Sequence, residues 1–65
     1  MIKNNLRSIR TKKGLSQAQL SYKAKVSPSI ISNIENEKMI AYPGWKRRIA
    51  KALEVSEADI WEADE

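Results

Sequence analysis

Hydrophobic residues recur at helical spacing along most of this 65-residue chain. Ile2, Leu6 and Ile9 fall on one face of a first helix, predicted over residues 2–13. Gly14 follows directly and is the residue type that most readily ends a helix in the left-handed conformation. Since no stretch alternates with period two for long enough to predict a strand, the pattern indicates an all-α chain.

Short polar sequences mark the starts of further helices. Ser16 and Gln19 have the spacing of a capping box, in which each side chain bonds the backbone of the other residue. Ser27 followed by Pro28 suits an N-cap and a first helical position, and Ser56 is a further N-cap. With the apolar periodicity, these signals predict four more helices around one core, over residues 17–24, 28–35, 43–53 and 57–62.

Composition favours a single small binding domain over residues 1–65. The chain has no Cys and no His, which removes disulfides, thiolate zinc sites and the usual general base near neutral pH. We therefore expect no enzyme activity, no metal and no cofactor. The longest apolar run is three residues, and the first residues lack the apolar segment of a secretory signal. We expect a cytoplasmic, nucleoid-associated protein with no membrane contact.

Charge is distributed unevenly along the chain. Residues 1–53 carry all 12 basic residues and two acids, which gives +10, whereas residues 54–65 carry six acids and no base, which gives −6. A basic body with an acidic tail is typical of nucleic-acid binding, with solubility as the alternative explanation. The acidic residues are also a weak alternative metal site, although terminal carboxylates are usually solvated: Glu57, Asp59, Glu62, Asp64 and Glu65.

The helices predicted over 17–24 and 28–35, joined by a tight turn, have helix-turn-helix spacing. The segments GLSQAQLSYKAKVSPSIISNIEN (14–36) and IAKALEVS (49–56) resemble the Cro/phage-repressor-type, or Xre-like, family. The resemblance extends over nearly the whole chain. It implies a five-helix, lambda-repressor-like domain whose third helix reads the DNA major groove. It favours a sequence-specific transcriptional regulator, in particular a repressor of phage or mobile-element origin.

The resemblance assigns base reading to the helix over 28–35, with Pro28, Ser29 and Asn33 at exposed positions. Ile30 is expected to point outward as well, because Ile31 and Ile34 already fill the inward face. Ser29 and Asn33 lie one turn apart, and an Asn amide can bond adenine through two hydrogen bonds. Pro28 and Ile30 offer apolar contact to thymine methyl groups, although partial burial of Ile30 is an open alternative. Because this helix contains no Lys or Arg, we expect an A·T-leaning site.

Backbone phosphates are expected to meet residues at the edges of this helix pair. The resemblance gives Gln17 two roles, a phosphate contact and a brace for the reading helix; the alternative is that Gln17 only caps its own helix. Any single Lys or Arg here is equally well explained as a solvated charge. The further phosphate-contacting residues that the resemblance implies are Ser27, Asn36, Lys38, the backbone of Met39 and Ile40, Lys46 and Arg47. Lys25 departs from the family but adds a positive charge beside these helices, and it is also expected to contact phosphate.

Two further sets of residues follow from the resemblance. Arg10 and Glu35 match a pair that forms an internal salt bridge in the family. Lys25, Glu37 and Glu54 stand where the family often has Gly, so a left-handed conformation at any of them costs about 1 kcal/mol.

Double-stranded DNA is the expected partner, bound by a DNA-dependent homodimer. Tyr42, Ile60 and Trp61 are the predicted interface residues, since Trp is enriched at interface hot spots. The alternative is that Ile60 and Trp61 only close the core. A competing hypothesis is an antitoxin-like module that binds a protein partner through the surface near Trp61.

Overall fold

The computed structural model describes residues 4–61, and these form five helices and no strand. This confirms the predicted all-α, five-helix fold. In chain order the helices are α1 (Leu6–Lys12), α2 (Gln17–Ala24), α3 (Pro28–Glu35), α4 (Pro43–Leu53) and α5 (Glu57–Ile60). No helix within these residues is long and apolar enough to cross a membrane.

The helix starts follow the local signals in the sequence. Ser16 and Gln19 form the predicted capping box, with both reciprocal hydrogen bonds present. Ser27 accepts a hydrogen bond from the Ile30 amide at 3.3 Å and precedes Pro28 at the first position of α3. The bounds of α2, α3 and α4 equal the predicted ranges because each start depends on residues within one turn.

The first helix is shorter than the predicted range of 2–13. The Asn4 side chain accepts a hydrogen bond from the Leu6 amide at 3.0 Å and donates to the Ile34 carbonyl at 2.8 Å. These bonds hold Asn4 outside the helix, so α1 begins at Leu6; residues 1–3 lie outside the described part of the chain. The last helix ends at Ile60, whereas the predicted range ended at residue 62. Residues 62–65 lie outside the described part of the chain.

The core is built from one apolar face of each helix. Ser21 and Ala24 are small and buried, and they let α2 pack closely against α3 and α4. Full burial of a Leu or Ile side chain contributes roughly 1.5–3 kcal/mol. The largest fully buried apolar side chains are Leu6, Leu20, Ile31, Ile34, Ile49, Leu53 and Ile60.

Within residues 4–61, three non-glycine residues adopt the left-handed conformation directly after a helix or its C-cap. Lys25, Glu37 and Glu54 have φ angles of 59°, 60° and 61°, close to the 75° of Gly14. These are the positions at which the resembling family often carries Gly. Each therefore costs about 1 kcal/mol relative to Gly without altering the path of the chain.

Candidate nucleic-acid interface

The turn of residues 25–27 fixes α3 relative to α2. Val26 is buried, and its carbonyl accepts a hydrogen bond from the buried Ser21 hydroxyl at 2.5 Å. The Val26 amide in turn donates to the Ser21 carbonyl at 3.2 Å. Because both polar groups of Val26 are satisfied inside the fold, the turn is held firmly, and the start of α3 has a defined position.

The outer side of α3 presents small polar groups. Ser27, Pro28 and Ser29 are exposed, and Asn33 is half-buried one turn beyond Ser29. Within residues 4–61 the Asn33 side chain makes no hydrogen bond, so its amide has its full capacity for a ligand. Ile30 is half-buried and packs against the core, which agrees with the alternative of partial burial.

A buried carboxylate lies behind this surface, where α1, α2 and α3 meet. The Glu35 side chain is fully buried, and Arg10 donates to it from Nε at 2.5 Å and from Nη2 at 3.1 Å. Gln17 Nε2 donates to Glu35 Oε1 at 2.9 Å. Arg10 and Glu35 are the pair that the resemblance implied. Gln17 therefore joins the start of α2 to the end of α3, and capping of its own helix is done by Ser16.

This cluster of bonds keeps Glu35 charged. Burial acts to raise the pKa of the Glu35 carboxyl, but hydrogen bonds from Arg10, Gln17 and Arg7 and the charge of Arg10 together lower that pKa below its ordinary value. The hydrogen bond to Glu35 raises the pKa of Arg10. Since both partners remain ionised at neutral pH, the Gln17 amide group is held against a fixed negative charge.

Arg7 is a participant that the sequence reasoning missed. Its Nε lies 3.4 Å from Glu35 Oε1, and its Nη2 donates to Asn36 Oδ1 at 2.8 Å. The signal was present, because Arg7 and Arg10 are three residues apart and share one face of α1. Arg7 thereby occupies the Asn36 oxygen and ties the end of α3 to α1.

The other predicted phosphate-contacting residues are divided between exposed and half-buried positions. Lys25, Lys38, Ile40 and Arg47 are exposed, whereas Met39 packs partly against the core. Lys46 is half-buried, and its ammonium nitrogen lies 5.6 Å from the centre of the Trp61 ring. The loop and the start of α4 therefore carry three cations that follow α3 along the chain: Lys38, Lys46 and Arg47.

The predicted dimer residues have different surroundings. Tyr42 is 63% exposed and stacks on Trp45 with ring centroids 4.6 Å apart. Ile60 is fully buried, which corrects its prediction as an interface residue, because its side chain closes the core. Trp61 is half-buried, and its Nε1–H is buried without a hydrogen-bond partner in the described part of the chain.

The acidic residues near the end of the chain do not form a metal site within the described residues. Across residues 4–61, no group of three potential ligands comes together. Asp59 caps α5 through the Ser56 amide at 3.0 Å, and Glu57 is exposed. Glu62, Asp64 and Glu65 lie outside the described residues.

Comparison with known proteins agrees with the geometry of α2 and α3. A family model described as "Helix-turn-helix domain" matches residues 4–61. The crystal structure of the restriction-modification controller protein C.AhdI from Aeromonas hydrophila is similar, with a TM-score of 0.82 and 27% identity over 85% of this chain and 83% of that chain.

A second similar structure is the complex of the SinR and SinI proteins, with a TM-score of 0.81 and 29% identity over 89% of this chain. The match extends over 57% of that chain, so it includes little more than half of the neighbour's length. No curated protein matches the chain. The two structures and the family model confirm the resemblance to Xre-like helix-turn-helix regulators.

Proposed function

We propose that this chain, which belongs to the helix-turn-helix domain family, is a sequence-specific transcriptional regulator that binds double-stranded DNA as a single domain and represses transcription. The observation that carries the proposal is the exposed polar side of α3, held at a fixed position by the 25–27 turn. A rigid helix with unpaired polar groups is the element that enters a major groove. The similarity to a restriction-modification controller protein supports a regulatory role.

Base reading is assigned to Asn33, Ser29 and Pro28. The Asn33 amide has the donor and acceptor needed to bond adenine through N6 and N7, and Ser29 can bond either class of base. Ile30 contributes only the part of its side chain that the core leaves uncovered. With no cation on this helix, the proposed site leans toward A·T pairs.

Phosphate binding is assigned to the two sides of α3. Gln17 uses one amide hydrogen for Glu35 and has a second for a phosphate oxygen, next to the positive end of α2. Ser27 and the exposed Lys25 lie at the start of α3, and the loop and the start of α4 lie beyond its end. The residues proposed there are Asn36, Lys38, Met39, Ile40, Lys46 and Arg47.

The protein is proposed to bind as a DNA-dependent homodimer through the surface of Tyr42 and Trp61, on half-sites about one helical turn apart. Its place of action is then the cytoplasm, at the nucleoid. A second candidate function is an antitoxin-like module that binds a protein partner through this same surface. The exposed Tyr42 ring and the half-buried Trp61 support that alternative, since aromatic residues are enriched at interface hot spots.

The test is selection of bound sequences from a random duplex pool at about 150 mM salt, where charge alone gives weak binding. We expect an A·T-leaning inverted repeat. In the Asn33→Ala variant one position of that repeat should lose its preference, at about 1–3 kcal/mol of discrimination. Ser8→Ala, an exposed change on α1, is the matched control and should recover the full repeat.

Recovery of a random pool by the unchanged protein contradicts sequence-specific regulation and favours the partner-binding module. Recovery of a motif that Asn33→Ala leaves intact contradicts the assignment of the reading residues. The sign of regulation is then measured with a reporter gene placed behind the selected site, and we expect lower transcription when the protein is present.

A further inference from the structure

A second basic surface lies on the side of the fold formed by α2 and the second half of α4. It is an open groove of about 470 Å³ between the ends of the two helices. Four exposed cations and one carboxylate line it. We call it the basic groove and define it by Lys23, Lys25, Arg48, Lys51 and Glu54.

The cations of the basic groove lack acidic partners. Among residues 4–61 the ion pairs within 4.0 Å are those of Arg7 and Arg10 with Glu35, so none of the four cations of the groove has a carboxylate at that distance. Like charges gathered around one concave surface repel each other and raise the local concentration of anions. Among the described residues, the positive charge of the groove is therefore not neutralised by ion pairs.

Two features of the turn at Lys25 concern the cations of the groove. Arg48 Nη1 donates to the Lys25 carbonyl at 3.4 Å, which keeps its guanidinium next to the turn. Lys25 adopts φ 59°, a conformation that Gly would adopt at about 1 kcal/mol lower cost. A lysine at this position adds a cation to the groove at the expense of backbone stability.

The basic groove is continuous with the start of the reading helix. Lys23 and Lys25 also line the neighbouring depression, which reaches Ser27, the N-cap of α3. A duplex that meets the start of α3 thus lies beside the cations of the basic groove.

We infer that the basic groove is a second phosphate-binding surface, in which Lys23, Arg48 and Lys51 join Lys25 in binding the backbone of DNA that flanks the recognised site. This rests on the proposed binding of double-stranded DNA. The groove adds affinity and salt dependence without adding sequence preference, because phosphate contacts carry no base information.

The experiment measures the salt dependence of binding by fluorescence anisotropy, on the selected site trimmed to its ends and on the same site extended by about ten base pairs on each side. Lys23→Gln and Lys51→Gln should each lower the slope of log K against log salt by about 1, and the double variant by about 2, on the extended duplex only. Lys12→Gln removes one exposed charge of α1 that does not line the groove, and is the matched control.

An unchanged slope in the double variant overturns the inference, and so does an equal loss on the trimmed duplex, which would place these lysines on the recognised site itself. Titration with inorganic phosphate, followed by amide NMR shifts, tests whether the groove binds a free anion instead of the DNA backbone. Saturable phosphate binding in the groove together with variant-independent slopes overturns the DNA assignment.

Failure of the proposed function gives a different result. If no motif is selected, sequence-specific regulation fails, and the slopes on a random duplex of the extended length still decide the role of the groove. If Asn33→Ala alters the motif while the groove variants leave every slope unchanged, the proposed function stands and the groove assignment falls.

Discussion

Two sides of this small fold are stabilised in opposite ways. Where α1, α2 and α3 meet, a buried carboxylate receives hydrogen bonds from three side chains; we call this the Glu35 cluster, made of Arg7, Arg10, Gln17, Glu35 and Asn36. Where α4 meets α5, the contacts are between rings and a cation; we call this the aromatic surface, made of Tyr42, Trp45, Lys46 and Trp61.

The difference lies in how completely each side satisfies its polar groups. The Glu35 carboxylate is fully buried and has a donor for each oxygen, whereas the Trp61 Nε1–H is buried with no partner among the described residues. Breaking a paired buried charge is strongly destabilising. A buried N–H without a partner already lowers the stability of the fold. The Glu35 cluster thus fixes the position of α3 relative to α1 and α2, whereas the aromatic surface retains an unsatisfied N–H within residues 4–61.

The largest expected effect is the loss of the charge at the Glu35 cluster. Glu35→Gln leaves the Arg10 guanidinium, whose side chain is only 11% exposed, without its carboxylate. We expect the free energy of unfolding to fall by about 3 kcal/mol, since breaking a buried pair strands the remaining charge. Urea unfolding followed by tryptophan fluorescence measures it, and the control Glu57→Gln, an exposed acid without a pair, should change it little.

The pH dependence of the free energy of unfolding distinguishes the contribution of the Glu35 charge from that of its side-chain shape. The pKa of Glu35 is lowered in the folded state, so its contribution is present above the ordinary carboxyl pKa and is lost as the pH falls through the folded value. Below about pH 4, where carboxyl groups take up protons, the difference between the original protein and Glu35→Gln should therefore shrink. A constant difference down to acid pH would contradict a role for the charge.

Local signals allowed most of the fold to be predicted. Ser16, Ser27 and Ser56 each accept a hydrogen bond from an amide within three residues, so the helix starts are encoded next to where they occur. The apolar periodicity then places the buried faces. The three unusual φ angles coincide with the places where residues other than Gly occupy the family's Gly positions.

Features that depend on distant residues could not be read from the sequence. The start of α1 is set by the bond from Asn4 to the Ile34 carbonyl, 30 residues away. The link from Arg7 to Asn36 extends over a similar separation of 29 residues. The burial of Ile60 depends on how α5 lies against the core, where periodicity in a four-residue helix gives almost no information.

An intermediate effect is expected at the aromatic surface. Trp61→Phe loses ring area but also removes the buried, unpaired Nε1–H, so the two changes nearly cancel and stability should shift by less than about 0.5 kcal/mol. Trp61→Ala loses the packing alone and should cost about 2 kcal/mol. Urea unfolding followed by circular dichroism measures both.

Trp45→Phe is the matched control for this pair. Trp45 is also half-buried, but it has no buried unpaired N–H, so its loss of area is not offset and should cost about 1 kcal/mol. Equal costs for the two Trp→Phe changes would contradict the view that the aromatic surface contains an unsatisfied group.

The last comparison is of backbone strain at two positions, one next to the Glu35 cluster and one at the end of α4. Glu37 follows the Glu35 cluster and Glu54 follows α4, both with left-handed φ angles, so Glu37→Gly and Glu54→Gly should each raise the free energy of unfolding by up to about 1 kcal/mol. Gly14→Ala, where an added Cβ meets nothing within 4 Å, should lower it by a similar amount through conformation alone. Thermal unfolding measures all three changes. Because backbone strain is independent of side-chain pairing, the two glycine variants should gain equally; a gain at Glu54 alone would mean that the Glu35 cluster compensates for the strain beside it.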